Sequence, residues 1–295
     1  MNKHTSSKNK KQHKVVVKSK KKIVVKLKTS NNSKSTKAKS NKIDFNELKR
    51  EIDASLKNDK SDSNNRKDRV HTGIFGLDEV MQGGLKRNSV NIVGGGAGSG
   101  KSILCMQYLV EGINNYNENG VYISFEENSD KILSNFNQFG WDLENKIKSK
   151  KLIILYYTPE QVEKVLESGG GLVRDAIESI NAKRLIMDSL TAFTLLQDTE
   201  IDKRKSVLKL FQEARKWGVT SLMTSEQEPD PDKHISNVIE FQTDGVILLY
   251  NTRKGDVRQR SLEIFKMRAT QHAVKIFPMK IEEKGIVIYP DELVF

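Results

Sequence analysis

Residues 89–102 read SVNIVGGGAGSGKS, a β-branched run that passes directly into a glycine-rich loop. The residues that follow, ILCMQYLV, continue as an apolar helical pattern. Within the loop lies Gly95-x-x-x-x-Gly100-Lys101-Ser102. Glycines let backbone N–H groups approach and surround phosphate oxygens, and the helix behind them presents the positive end of its dipole to the same anion. At this spacing Lys101 reaches the β- and γ-phosphates and the Ser102 hydroxyl ligates Mg²⁺. Gly98, Ser99 and Ile103 complete the predicted cradle. An ordinary glycine turn between strand and helix has no need of the Lys–Ser pair.

Outward from this loop the same texture repeats. Short runs rich in Val and Ile occur at VYISF, KLIILYY, RLIMD, VTSLMTS and DGVILLY. Helical patterns separate the earlier ones. The clearest is KRKSVLKLFQEARKWG, which sets Val207, Leu208, Leu210, Phe211 and Ala214 on one broad face. Near-continuous apolar strands alternating with helices predict an α/β fold with a mostly parallel sheet covered on both faces. Towards the C-terminus SLEIFKMR, KIFPMKIE and GIVIYP follow one another closely, which predicts an antiparallel meander at the sheet edge.

Ligands of open α/β sheets bind beyond the carboxyl ends of the strands, so the residues that end each strand matter. RLIMD ends in Asp188, the expected orienter of a metal ion and its water. MTSE ends a third strand with Thr224, Ser225 and Glu226 where a sensor of the γ-phosphate would sit, and Glu226 is taken as a nucleotide contact. VYISFEE stops at two carboxylates, Glu126 and Glu127. Successive side chains of a strand point to opposite faces, so both reach one water only if the backbone turns there.

Charge divides the chain. Residues 1–70 hold 22 Lys and Arg against 7 Asp and Glu, and the remainder hold 28 against 31. The formal net charge of +12 therefore belongs to the N-terminal segment. Residues 1–42 carry 15 Lys and no acid, a composition that cannot bury enough surface to order itself. We expect a disordered Lys-rich extension and linker over 1–68, with a short amphipathic helix near 43–57 where Phe45, Leu48, Ile52 and Leu56 recur at helical spacing, and a single domain over 69–295. The one cysteine, Cys105, lies in an apolar stretch and is expected to be a buried hydrophobe. It excludes a disulfide framework and suits a reducing cytosol. No apolar run approaches the ~18 residues of a membrane span, and a cytoplasmic location is expected.

Taken together these residues resemble the KaiC family of RecA-like ATPases, specifically its single-domain archaeal-type members. The similarity covers about residues 69–295. HTGIFGLDEVMQGGL looks like the segment leading to the family's Walker A strand, and VYISFEE like its catalytic strand. The resemblance implies that Glu126 and Glu127 are the hydrolytic pair. LEIFKMRATQH resembles the family's late motif, whose basic residues reach across a subunit interface. On that match Lys266 and Arg268 touch a neighbour's γ-phosphate, and Met267, Thr270 and His272 line the same nucleotide. Ala269 stands where relatives often have Gly. The resemblance thus implies a Mg²⁺-dependent ATPase assembled as a hexameric ring, with one ATP per interface and a protein partner that receives the signal. The family's clock protein carries tandem domains and an autophosphorylated Ser–Thr pair. Glu240 and Phe241 occupy those positions here, which does not support self-phosphorylation.

Two other functions compete. A RecA- or RadA-like DNA-dependent ATPase is favoured by the basic extension, since neutralising phosphates gives salt-sensitive binding. Against it, LTAFTLLQDTEID and EQEPDPDKHIS, the loops such enzymes use for DNA, carry acids and are not basic. A non-hydrolysing nucleotide switch is opposed by the retention of both glutamates. The extension itself is read as a route to nucleic acid, to an anionic membrane surface, or as a solubilising segment.

Overall fold

The Val- and Ile-rich runs pair into one nine-stranded sheet. The computed structural model describes residues 68–158, 161, 171–194, 197–226 and 242–293, all within one compact unit, Lys49–Phe295. The expected extension and its helix near 43–57, and the positions Glu240 and Phe241, lie outside the described residues. In chain order the strands are β1 (Arg69–Val70), β2 (Leu85–Lys86), β3 (Val90–Gly95), β4 (Gly120–Ser124), β5 (Leu152–Tyr156), β6 (Arg184–Asp188), β7 (Thr220–Ser225), β8 (Gly245–Lys254), β9 (Val257–Met267), β10 (Ile276–Glu282) and β11 (Gly285–Ile288). The helices are α1 (Leu77–Val80), α2 (Lys101–Asn115), α3 (Ser129–Phe136), α4 (Leu143–Lys148), α5 (Gly171–Ser179), α6 (Leu190–Phe193) and α7 (Glu200–Lys216).

The sheet order is β11-β10-β9-β8-β3-β7-β6-β4-β5. From β8 to β5 every pairing is parallel, and β9, β10 and β11 add antiparallel at the β8 edge. The predicted parallel sheet with a C-terminal meander is therefore the observed one. β1 and β2 form a separate antiparallel pair.

Alternation along the central strands explains why both faces are covered. Val93, Tyr122, Ile186 and Leu222 enter the core beneath α2. Their neighbours Ile92, Val121, Ile123, Leu185, Met187 and Met223 enter the core beneath α5 and α7. On α7, Val207, Leu210, Phe211 and Ala214 are buried, whereas Leu208 is half-buried at the rim. The broad face read from sequence is thus one residue narrower: Leu208 follows Val207 by 100° of helix, outside the i, i+3, i+4, i+7 stripe. Cys105 is buried, and burial pushes its thiol well above the ordinary range, so it stays protonated and inert.

A buried cation crosses the amino end of the sheet. Arg184 is fully inaccessible and sits 2.8 Å from Glu118, whose side chain is 13% exposed. Its guanidinium also donates to the carbonyls of Tyr108 and His71, both at 2.7 Å, and lies over the Tyr108 ring. Removing one partner of a buried pair leaves the other charge uncompensated. Glu118→Ala is therefore expected to lower unfolding stability by about 3–5 kcal/mol, read as a shift of the urea midpoint; an unchanged midpoint would show that the two carbonyls suffice.

Candidate active site

Because β3, β7, β6 and β4 are parallel neighbours, their carboxyl ends lie in one row. The glycine loop follows β3, Thr224 lies near the end of β7, Asp188 ends β6, and Glu126 and Glu127 follow β4. Residues spread over some 130 positions of sequence thus share one edge.

The loop is shaped by its glycines. Gly98 and Gly100 take φ of 70° and 104°, left-handed values that strain any residue with a Cβ. A Cβ on Gly95 would lie 2.6 Å from both the Leu249 carbonyl oxygen and Ser99 Oγ. Ser99 is buried, and its Oγ has no partner among the described residues. Lys101 folds back over the loop, where its ammonium donates to the carbonyls of Gly95 (2.8 Å) and Gly96 (3.2 Å). In the first turn of α2 the Ser102 and Ile103 N–H groups precede the first intrahelical donor, Leu104, which bonds to Gly100. That turn carries no acid, which leaves the positive end of a 15-residue dipole unopposed. The Ile103 side chain packs partly buried against the core, so only its backbone faces the loop.

Asp188 is held at both oxygens. Thr224 donates to Oδ1, and the Tyr122 hydroxyl donates to Oδ2 at 2.6 Å. Burial, together with the nearby Asp188 carboxylate, pushes the Tyr122 phenol well above its ordinary range, so it remains a neutral donor. The Asp188–Ser189 peptide is cis. Glu226 is exposed, and its N–H donates to Thr191 Oγ1. At the end of β7, Thr224 is therefore the residue that meets Asp188.

The two glutamates separate. β4 ends at Ser124, whose Oγ accepts the N–H groups of Glu126 (3.4 Å) and Glu127 (2.9 Å), so the backbone turns there. Glu126 Oε1 accepts from Ser189 Oγ at 2.7 Å, beside Asp188. Among the described residues its Oε2 accepts no hydrogen bond. Glu127 faces α3 instead, with Lys131 Nζ at 2.9 Å on one oxygen and Asn135 Nδ2 at 2.9 Å on the other.

The late motif lies elsewhere. Lys266 Nζ donates to the Thr243 carbonyl at 2.9 Å, and Arg268 Nη1 is 3.8 Å from Asp244 Oδ1. Asp244 also pairs with Arg215 at 3.1 Å and accepts the N–H of Val90, the first residue of β3. Lys266 and Arg268 thus sit at the amino end of β3, about 17 Å along the strand from the phosphate loop. Thr270 accepts from Arg69, and the half-buried His272 ring lies 3.0 Å from the Ala273 carbonyl. Met267 is 6% exposed and packs in the core of its own chain. Its side chain is not offered to a neighbour, because the residue between Lys266 and Arg268 on a strand points to the opposite face.

Three residues at this site were not singled out by sequence. Tyr122 was hidden in an apolar run, although strand alternation separates it from Val121 and Ile123. Arg260 Nε donates to the Gly98 carbonyl at 3.1 Å, and Asn251 Nδ2 lies 3.4 Å from that of Ala97. Both stand on the β8–β9 hairpin, which the Lys-Gly-Asp turn in NTRKGDVRQR announces.

Comparison with known proteins gives a consistent picture. The family described as "ATPase: KaiC" matches residues 70–293. The circadian clock oscillator protein KaiC of Prochlorococcus marinus subsp. pastoris is 36% identical over 211 residues, covering 69% of this chain and 42% of that protein. Its counterpart in Synechococcus elongatus is 33% identical over 212 residues, covering 69% and 41%. The chain therefore spans about two-fifths of the length of these relatives. Among solved structures, a KaiC-like protein from the hyperthermophilic archaeon Pyrococcus horikoshii OT3 is 34% identical. It superposes with a TM-score of 0.67 over 75% of this chain and 99% of that one.

Proposed function

The chain belongs to the KaiC family of ATPases, and from that premise we propose that it hydrolyses ATP with Mg²⁺ at sites completed between adjacent copies of the domain over 69–295. One observation carries this reading. The phosphate loop lies at the carboxyl end of β3 and the late-motif cations at its amino end. One chain cannot bring both to one phosphate, whereas head-to-tail copies can, and repetition of such a contact closes a ring when the rotation allows. A hexamer is the form proposed, in the cytoplasm, signalling to a protein partner.

The residues present fit the groups this reaction needs. Loop N–H groups, the α2 dipole and Lys101 suit the phosphates of ATP. Asp188, positioned by two hydroxyls, and the Ser102 hydroxyl are hard oxygen donors of the kind Mg²⁺ takes. Among the described residues no cluster of three or more His, Cys, Asp or Glu could hold a metal ion, so Ser102, Asp188 and the nucleotide's phosphates would share it. When bound, Mg²⁺ offsets charge on the β- and γ-phosphate oxygens.

The chain's own residues supply the rest. Lys101 turns from its carbonyls to the β/γ-phosphate bridge. Glu126, fixed at Oε1 by Ser189, presents Oε2 to a water and takes its proton as the oxygen attacks the γ-phosphorus. The bond to the β-phosphate oxygen breaks, releasing ADP and phosphate. Lys266 and Arg268 of the next copy neutralise charge on the transferring group, a contribution worth roughly 10³–10⁵ in rate for a cation delivered this way. Thr270, whose hydroxyl donates to the Arg268 carbonyl, and His272 follow them in the chain, and Met267 takes part through its backbone.

Mixing tests the shared site. Arg268→Ala and Glu126→Gln chains are each expected to be inactive alone and to recover part of the wild-type turnover when combined, because a mixed interface pairs an intact Glu126 with an intact Arg268. Turnover per chain should also rise with protein concentration. No recovery at any mixing ratio would remove the shared-site assignment.

A further inference from the structure

Beyond Leu249, β8 leaves its partner β3, and β10 pairs with β9 only from Ser261 onward. Residues 251–260 therefore stand out as a two-stranded ribbon with no third strand. Its register sets Asn251 opposite Arg260 and Arg253 opposite Arg258. Directly opposed residues, and residues two apart, share a face. Asn251, Arg253, Arg258 and Arg260 therefore form one face. The two inner members identify its direction, since Arg260 and Asn251 touch the carbonyls of Gly98 and Ala97. Arg253 and Arg258 lie one step further out, about 6.8 Å along each strand, and both are exposed.

Like charges placed directly opposite on a ribbon destabilise it. Among the described residues no carboxylate pairs with either arginine. Arg253 donates to the Gly255 carbonyl and Arg258 to that of Asn251. Among the described residues neither forms an ion pair, and neither do Lys254 or Arg260. The nearest acid in sequence, Asp256, is in the turn.

We propose that this arginine face binds the phosphate backbone of single-stranded nucleic acid alongside the phosphate loop. Guanidinium forks pair bidentately with phosphate. A cationic surface that tracks the backbone is one of the elements by which proteins follow a single strand without reading its bases. The same chain carries 15 Lys and no acid in residues 1–42, a second element of the sign that attracts this ligand. The proposal stands on the ribbon's geometry and does not require hydrolysis.

The test uses the full chain without nucleotide. A fluorescent oligo(dT) strand is titrated with wild type, with Arg253→Ala/Arg258→Ala, and with Arg253→Lys/Arg258→Lys, each at several salt concentrations. All three proteins keep the Lys-rich segment, so their difference isolates the ribbon. Loss of two phosphate contacts should weaken binding about tenfold or more at low salt. It should also make the slope of log K against log salt shallower by about 1.4. The lysine variant should keep the wild-type slope. ATP affinity and the melting temperature should be unchanged, which separates this outcome from failure of the ATPase reading. Equal slopes for wild type and the alanine variant would assign nucleic-acid binding to the N-terminal segment and overturn the proposal, as would no binding by wild type. Altered assembly with unaltered strand binding would also overturn it and assign the ribbon to contact between copies.

Discussion

Lys101→Ala is expected to weaken ATP binding about a hundredfold or more, corresponding to about 3 kcal/mol for the loss of a charge-assisted contact to phosphate. The fold should not suffer. Among the described residues the ammonium donates only to the carbonyls of Gly95 and Gly96, and the glycine geometry that shapes the loop is independent of it. Calorimetric titration with ATP, alongside a thermal melt of the nucleotide-free protein, separates the two effects. Unchanged affinity would mean that the phosphates are held elsewhere, and the site as assembled here would be wrong.

The second large effect distinguishes two adjacent carboxylates. Glu126→Gln should leave ATP affinity intact and lower turnover by about 10²–10⁴, the usual range for losing a general base. Glu127→Gln should leave turnover near wild type. It should cost only the pairing with Lys131, whose ammonium is exposed to solvent, and so leave the melting temperature close to wild type. The reason is directional: Glu126 is drawn to Ser189 beside Asp188, and Glu127 to α3. Changing both should be no worse for turnover than changing Glu126. If the Glu127 variant is the inactive one, the base is the other carboxylate, reached by rotation of its side chain away from Lys131. Single-turnover measurements at saturating ATP read this directly.

Much of the arrangement is legible in the sequence. The phosphate loop could be read because its chemistry is local: glycine conformations, one ammonium and one hydroxyl within eight residues. Strand identity was legible because parallel strands buried on both faces must be continuously apolar, and Asp188 because a carboxylate ending such a run stands at the ligand edge. Tyr122 escaped because a phenol inside an apolar strand looks like core until its neighbour on β6 is known. Arg184 escaped because a basic residue opening a strand looks solvated. Only the passage of β6 beneath Gly112, where a Cβ would collide with its guanidinium, buries it. The arginine face of the ribbon escaped because Gly255-Asp256 marks a turn, but the polar residues on either side carry no apolar alternation to show which of them share a face.

Periodicity and short-range motif chemistry were enough to read a parallel α/β sheet that carries a glycine–lysine–serine loop and acidic groups at its strand ends. Three-dimensional packing was needed to learn which glutamate turns towards Asp188, that Met267 faces inward, and that Lys266 and Arg268 lie a full strand length from their own glycine loop. Those outcomes depend on strand order, direction and register, which are set by packing between segments far apart in the chain and leave no mark in any one of them.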